Sequence, residues 1–239
     1  NKIIYKKLKE VFYNNFESIK IDITKNEEII SLIHCIRIGI HKYYQEYNSL
    51  PDNEENCIIS LKIIREVFKN SIKNGESWTT EMNGLDKNKL LFLLKTCNCE
   101  ISPICSFLGG IVSLEIIKIT GKYIPINQYL CFDFLESINY NYTIPTELPN
   151  NRYNDFIKIY GNELQKKLNN LNIFMIGAGA LGCEYLKLFA LLGISINNNS
   201  LTTVTDHDNI EISNLNRQFL FNKNNSNQSK SKIATQNIK

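Results

Sequence analysis

No block of like charge interrupts this sequence of 239 residues: 27 Lys and Arg are interspersed with 24 Asp and Glu, for a formal charge of +3. Without a basic cluster the electrostatic footprint of a nucleic-acid binder is absent. No stretch approaches the roughly eighteen apolar residues of a membrane-spanning helix. The 7 cysteines are odd in number and scattered mostly in apolar segments, which suits buried thiols in a reducing compartment. Cys97 and Cys99 have no matching second pair, so zinc is the minor reading there. Tryptophan occurs only at Trp78, in the polar tract Asn74 to Gly84, and reads as an anchoring side chain before a ligand platform. No methionine opens the chain, which starts at Asn1 and ends at Lys239 within a helical pattern. It is expected to be a piece of something longer, so the absence of a targeting signal decides little. What is plentiful is apolar surface, 43% of residues, enough for one large or two modest packed domains.

The chemistry concentrates between Ile173 and Lys230. Ile173-Phe174-Met175-Ile176 is a short apolar run of strand formers and reads as a buried parallel strand. Gly177-Ala178-Gly179-Ala180-Leu181-Gly182 follows with G-x-G-x-x-G spacing, in which glycines let the backbone turn tightly and approach a phosphate. Leu181, Tyr185, Leu188, Phe189 and Leu192 then recur at helical spacing up to Gly193. The loop therefore opens a helix whose free N–H groups and dipole favour an anion. The next apolar run, Leu201 to Val204, delivers Asp206 where a Rossmann-type unit places the acid that bonds a ribose hydroxyl.

Taken alone, the loop fits a nicotinamide or flavin domain. The residues beyond Asp206 point elsewhere. Ser213-Asn214-Leu215-Asn216-Arg217-Gln218-Phe219 is too polar for a strand and puts an amide and a guanidinium where a dinucleotide has no use for them. A nucleoside triphosphate does: Asn214 can donate to a phosphate oxygen, and Arg217 can grip two oxygens and offset charge as it builds up. Lys230 arrives after a flexible Asn- and Ser-rich turn as a point charge for the same phosphates. Asp206, Arg217 and Lys230 are expected to converge on one triphosphate site beside Gly177.

These motifs resemble the active adenylation domain of single-chain ubiquitin-activating enzymes, within a superfamily that includes the bacterial adenylating enzymes of molybdopterin and thiamin synthesis. The likeness is carried by Gly177-x-Gly179-Ala180-x-Gly182-Cys183-Glu184, by Val204-Thr205-Asp206-x-Asp208-x-Ile210-Glu211 and by Ser213-Asn214-Leu215-Asn216-Arg217-Gln218-Phe219-Leu220-Phe221. The resemblance implies an α/β, Rossmann-like adenylation unit that binds ATP with magnesium. Gly177, Gly179, Ala180 and Gly182 would line the nucleotide loop, Asp206 would hold the ribose, and Asn214, Arg217 and Lys230 would contact the phosphates. Asp208 reads equally as a group near the magnesium or as a solvated turn carboxylate, and no residue of the chain is assigned as a metal ligand.

The first half is helical. Leu32, Ile36, Ile40 and Tyr43 or Tyr44 mark one amphipathic helix, ended by Pro51 and Asn53; Leu61, Ile64, Phe68 and Ile72 mark a second. Residues 1–30 fit helix or strand. His34 and His41 lie nearly on one helix face, but a metal would need a third ligand, and core or surface histidines are the favoured reading. Leu85 to Cys97 is apolar nearly all round, as in a helix buried on several sides. Ser102-Pro103 starts a helix and Gly121 stops it, and Gly109-Gly110 inside it suggests a backbone passing close by. Tyr129 to Phe134 reads as a strand.

The same resemblance extends, less closely, over this half. It divides the chain into a helical insertion (1–84), the closing helix and strand of an inactive adenylation domain (85–138), a linker (139–151) and the start of the active domain (152–239). Ser102-Pro103-Ile104-Cys105 looks like the setting of the family's thioester cysteine, but it lies upstream of the nucleotide loop, and Cys105 is read as a structural thiol. Cys183 is read as a packing residue.

The implied reaction is adenylation of the C-terminal carboxylate of ubiquitin, with Arg217 and Asn214 as the catalytic groups. The thioester cysteine, a later magnesium-binding aspartate and the region that recruits a ubiquitin-conjugating enzyme have no counterpart here, so the segment alone is expected to be inactive. The resemblance also implies a cytoplasmic and nuclear location, and no nucleic-acid or membrane partner. A single-chain activating enzyme for another ubiquitin-like modifier, an NAD-dependent reductase and a non-catalytic nucleotide-binding scaffold are the competing readings.

Overall fold

The structure is a computed structural model that describes residues 7, 19–21, 27–73, 87–126, 129–132 and 134–238. Trp78 and Asp133 lie outside the described residues. The chain divides into two compact units: Asn1–Cys99 with Leu108–Thr143, and Glu100–Phe107 with Ile144–Lys239.

The first unit is built on helices. α1 (Glu27–Tyr47) and α2 (Glu54–Lys73) pack on each other, and α3 (Lys87–Lys95) closes against α2. Asn53 caps α2 by accepting the Asn56 N–H at 2.9 Å, and Glu54 and Glu55 occupy the first turn, where acids complement the dipole. Ile36, Cys57, Leu61, Ile64, Leu90 and Leu94 form the core. Side chains of this kind stabilise by about 1.5–3 kcal/mol each on burial. Tyr43 is the buried member of the tyrosine pair and Tyr44 the exposed one. Where the sequence left helix and strand open, Ile19–Ile21 forms β1, paired in parallel with β2 (Tyr129–Cys131), and α1 begins at Glu27.

α4 (Ser102–Lys118) begins at the Ser-Pro pair and ends before Gly121, whose φ is +80°. No residue along it is buried, and a Cβ at Gly109 or Gly110 would meet nothing within 4 Å. The expected close backbone is therefore not found among the described residues. The cysteines also divide: Cys35, Cys57 and Cys183 are buried, Cys97 and Cys99 are half-buried, and Cys105 is exposed, which removes a packing role for its thiol.

The second unit carries the α/β motif. Asn154–Tyr160 (α5) and Asn162–Asn169 (α6), helices that the sequence pattern did not single out, are separated at Gly161, where φ reaches +92°. Then come β3 (Ile173–Ile176), α7 (Ala180–Leu192), β4 (Thr202–Thr205) and α8 (Lys230–Asn237). β3 and β4 pair in parallel from Ile173 opposite Thr202 to Ile176 opposite Thr205, and α7 is the crossover. One sheet face, with Met175 and Val204, packs on a core of Ala178, Cys183, Leu186, Ile210, Leu220, Phe221, Ile233 and Ala234. Phe174 and Ile176 on the opposite face are exposed, so β3 is half-buried and not covered on both sides as its apolar run suggests. Buried Gln165 of α6 donates to the Leu192 carbonyl at 2.9 Å, and the Arg152 guanidinium donates to Ala190 O at 3.3 Å, fixing the C-terminal end of α7. No helix among the described residues is long and apolar enough to cross a membrane.

Candidate functional site

The motif glycines do different work. Gly177 leaves β3 at φ +101°, which an L side chain resists, while its N–H still pairs with the Thr205 carbonyl at 2.7 Å. A Cβ at Gly182 would lie 2.3 Å from the Gly177 oxygen, so the first turn of α7 closes on the loop only because no side chain intervenes. A Cβ at Gly179 would meet nothing within 4 Å. Gly179 is the N-cap residue of α7, offers no side-chain cap and leaves open space before the helix's first N–H groups.

Asp206 closes the loop from the end of β4. Its Oδ2 accepts the Ala178 N–H at 2.6 Å and its Oδ1 accepts the Asp208 N–H at 2.8 Å. Each carboxylate oxygen has a second lone pair, so capacity for a hydroxyl donor remains. The other side of the Ala178 peptide is also held: the buried Cys183 thiol donates to the Ala178 carbonyl at 3.8 Å. Burial pushes the Cys183 pKa up, which keeps it a neutral thiol and consistent with a packing role.

Asp208 carries the chain of contacts on to Lys230. Its Oδ2 accepts from the Lys230 ammonium at 2.8 Å and its carbonyl accepts the Lys230 N–H at 3.1 Å. Asn209 and Ser229 form an antiparallel bridge beside them, flanked by Ile210 N–H to Gln228 O at 2.8 Å and Asn227 N–H to Ile210 O at 2.8 Å. The turn before Lys230 is thus hydrogen-bonded and not the flexible link its composition suggests. Asn222 and Asn225 cap it reciprocally, because short amide side chains compete well for backbone groups. Lys230 is 7% exposed and opens α8, where the helix dipole opposes a cation. Asp208 offsets that charge, and the Lys230 hydrogen bond and charge hold the Asp208 carboxyl below the usual range.

Asn214 and Arg217 are arranged differently. Buried Asn214 accepts the Glu211 N–H on its Oδ1 at 3.1 Å, closing the short turn Ile212–Asn214; the group left for an anion is its amide NH2. Arg217 bends back on that turn, with Nη1 donating to Ser213 O and to Asn216 Oδ1, each at 3.0 Å. Among the described residues, no hydrogen bond or ion pair joins either to the Asp206, Asp208 and Lys230 network. The structure therefore links Ala178, Asp206, Asp208 and Lys230 directly, and leaves Asn214 and Arg217 on a neighbouring turn of the same unit.

Asp206, His207 and Asp208 are the one group among the described residues whose ligand atoms lie close enough together for a metal ion. The hard carboxylate oxygens suit magnesium. The Asp208 Oδ1 lies 3.2 Å from the exposed His207 ring and, with Asp206, would be the group to hold it. A magnesium ion held there would add counter-charge for phosphates.

A parallel strand–loop–helix–strand unit with an anion-ready helix start and an acid after its second strand is a Rossmann-like nucleotide-binding unit. Residues 150–239 match the model of the ThiF family. Over most of its length the chain is similar to ubiquitin-activating enzymes. It is 36% identical over 97% of its residues to ubiquitin-activating enzyme E1 2 of Triticum aestivum. It is 36% identical over 72% of its residues to ubiquitin-like modifier-activating enzyme 1 of Homo sapiens, and 32% over 89% to ubiquitin-like modifier-activating enzyme 7 of Mus musculus. The chain spans 22% of the wheat protein, 16% of the human one and 22% of the mouse one, the relation of a fragment to longer enzymes.

Proposed function

We propose that this chain supplies nucleotide-binding machinery to an ATP-dependent enzyme that adenylates the C-terminal carboxylate of ubiquitin or a ubiquitin-like protein. The observation that carries this is the run of contacts from the Ala178 N–H through Asp206 and Asp208 to Lys230, which brings carboxylates and an ammonium together beside the glycine loop of a βαβ unit. Asp206 accepts a ribose hydroxyl, the α7 N-terminus and Lys230 hold the phosphates, and Asn214 donates its NH2 to a phosphate oxygen. Arg217 exchanges its two acceptors for phosphate oxygens. The carboxylate oxygen of the modifier attacks the α-phosphorus, the bond to the bridging oxygen breaks, and pyrophosphate leaves with the electron pair. The protein's part is position and counter-charge, the main sources of rate in transfers of this type. Magnesium, held through Asp208, would share the charge of the departing pyrophosphate.

The relatives include both ubiquitin-activating and ubiquitin-like-modifier-activating enzymes, so the modifier is the open variable. Exchange of labelled pyrophosphate into ATP by the enzyme carrying this chain, measured with ubiquitin and with its paralogues in turn, tests the proposal. Exchange that depends on one modifier is the expected result. Modifier-independent NAD binding with no exchange would replace it with the reductase reading.

A further inference from the structure

We infer that Asp208 is a positioning residue for Lys230, one that fixes the ammonium at the nucleotide site whether or not a metal is bound. The inference rests on the proposed function and assigns this residue a task different from ligating magnesium.

Its basis is geometric. Lys230 is 7% exposed, and the partner that holds it is Asp208, through the ammonium at 2.8 Å and through the backbone N–H at 3.1 Å. The bridge between Asn209 and Ser229 fixes the register of the two segments, so the carboxylate and the amine cannot drift apart without breaking backbone bonds. Asp208 is in turn tied by its own N–H to Asp206, and Asp206 to the loop amide of Ala178. The position of the ammonium is thereby referred to the phosphate loop itself. A long, flexible lysine stem gains most from such restraint, because an unrestrained side chain gives up rotamer entropy when it binds.

The test is a double-mutant cycle with Asp208→Asn, Lys230→Met and both together, on the full chain, read by thermal unfolding without nucleotide and by ATP titration calorimetry in magnesium and in EDTA. Asparagine keeps the carboxylate's shape, and methionine fills the lysine's apolar path, so folding is retained. Without nucleotide, Asp208→Asn should lower Tm by about 5 °C, because a buried ammonium loses its counter-ion, and adding Lys230→Met should restore most of the loss. Independent, additive changes would overturn the inference. With ATP in EDTA, Asp208→Asn should weaken binding about tenfold to a hundredfold, the loss in magnesium should be at least as large, and the double variant should bind no worse than Lys230→Met. A loss confined to magnesium would make Asp208 a metal ligand only, and tighter binding would make it a competitor of the phosphate; either result overturns the positioning role. If the unmodified chain binds no ATP while the thermal cycle still shows coupling, the functional reading fails and the Asp208–Lys230 restraint stands.

Discussion

Arg217 holds Ser213 O and Asn216 Oδ1 with one nitrogen, leaving most of its donors for an incoming anion. Both acceptors are exposed and neutral, so an anionic phosphate oxygen competes with them as a charge-assisted partner. In the enzyme that carries this chain, Arg217→Ala is expected to lower ATP–pyrophosphate exchange by about 10³-fold or more, the range for arginines that stabilise transferring phosphoryl charge. Exchange near the unmodified rate would place the arginine outside the reaction. A second residue answers to pH and not to nucleotide. Burial, followed by the Arg37 charge, lowers the His34 pKa from 6.5 to about 4. The folded state therefore binds fewer protons than the unfolded chain between these values. Stability is full above the unfolded pKa and is lost as pH falls toward 4, by up to about 3 kcal/mol. Urea unfolding at a series of pH values should show this decline in the unmodified chain and a flatter profile in His34→Gln.

Among the elements, the loop before α7 separates two uses of glycine that share one motif. At Gly182 an added Cβ would lie 2.3 Å from a backbone oxygen, so Gly182→Ala must push α7 away from the loop, at about 1–3 kcal/mol. At Gly179 an added Cβ meets nothing, and the backbone angles of φ −78° and ψ −154° are open to alanine. Gly179→Ala is expected to keep or slightly raise Tm while weakening ATP binding, and Gly182→Ala to lower both; melting curves and ATP titration of the two variants check the contrast. The βαβ order was legible because the apolar run, the glycine spacing and the helical repeat each demand a local conformation. The Asp208–Lys230 contact was not, since it depends on how the turn from Asn222 to Ser229 folds back on Asn209, and that turn's asparagines and serines read as a flexible link. Likewise Asn214 and Arg217 look in sequence like two phosphate ligands, yet buried Asn214 also closes a turn, a use that only tertiary context shows. Gly109-Gly110 misled in the opposite direction: the cost of glycine in a helix implies a close neighbour, and no described residue supplies one.

On the scale of the whole molecule, apolar surface stays open in each unit. On the sheet, Phe174 is 66% and Ile176 80% exposed, although parallel sheets are ordinarily covered on both faces. On α4, Val112, Leu114, Ile116, Ile117 and Leu108 are all exposed. Contiguous apolar surface of this kind drives association in isolation. The 239-residue chain by itself is therefore expected to self-associate as its concentration rises, with the open sheet face contributing. Lysines at both Phe174 and Ile176 should shift the sedimentation profile toward monomer while leaving Tm within about 2 °C, because exposed side chains contribute little to folding. A large fall in Tm instead would mean that these residues already pack in the isolated chain. An unchanged profile with an unchanged Tm would move the source of association to α4, where Ile116→Lys with Ile117→Lys gives the corresponding measurement.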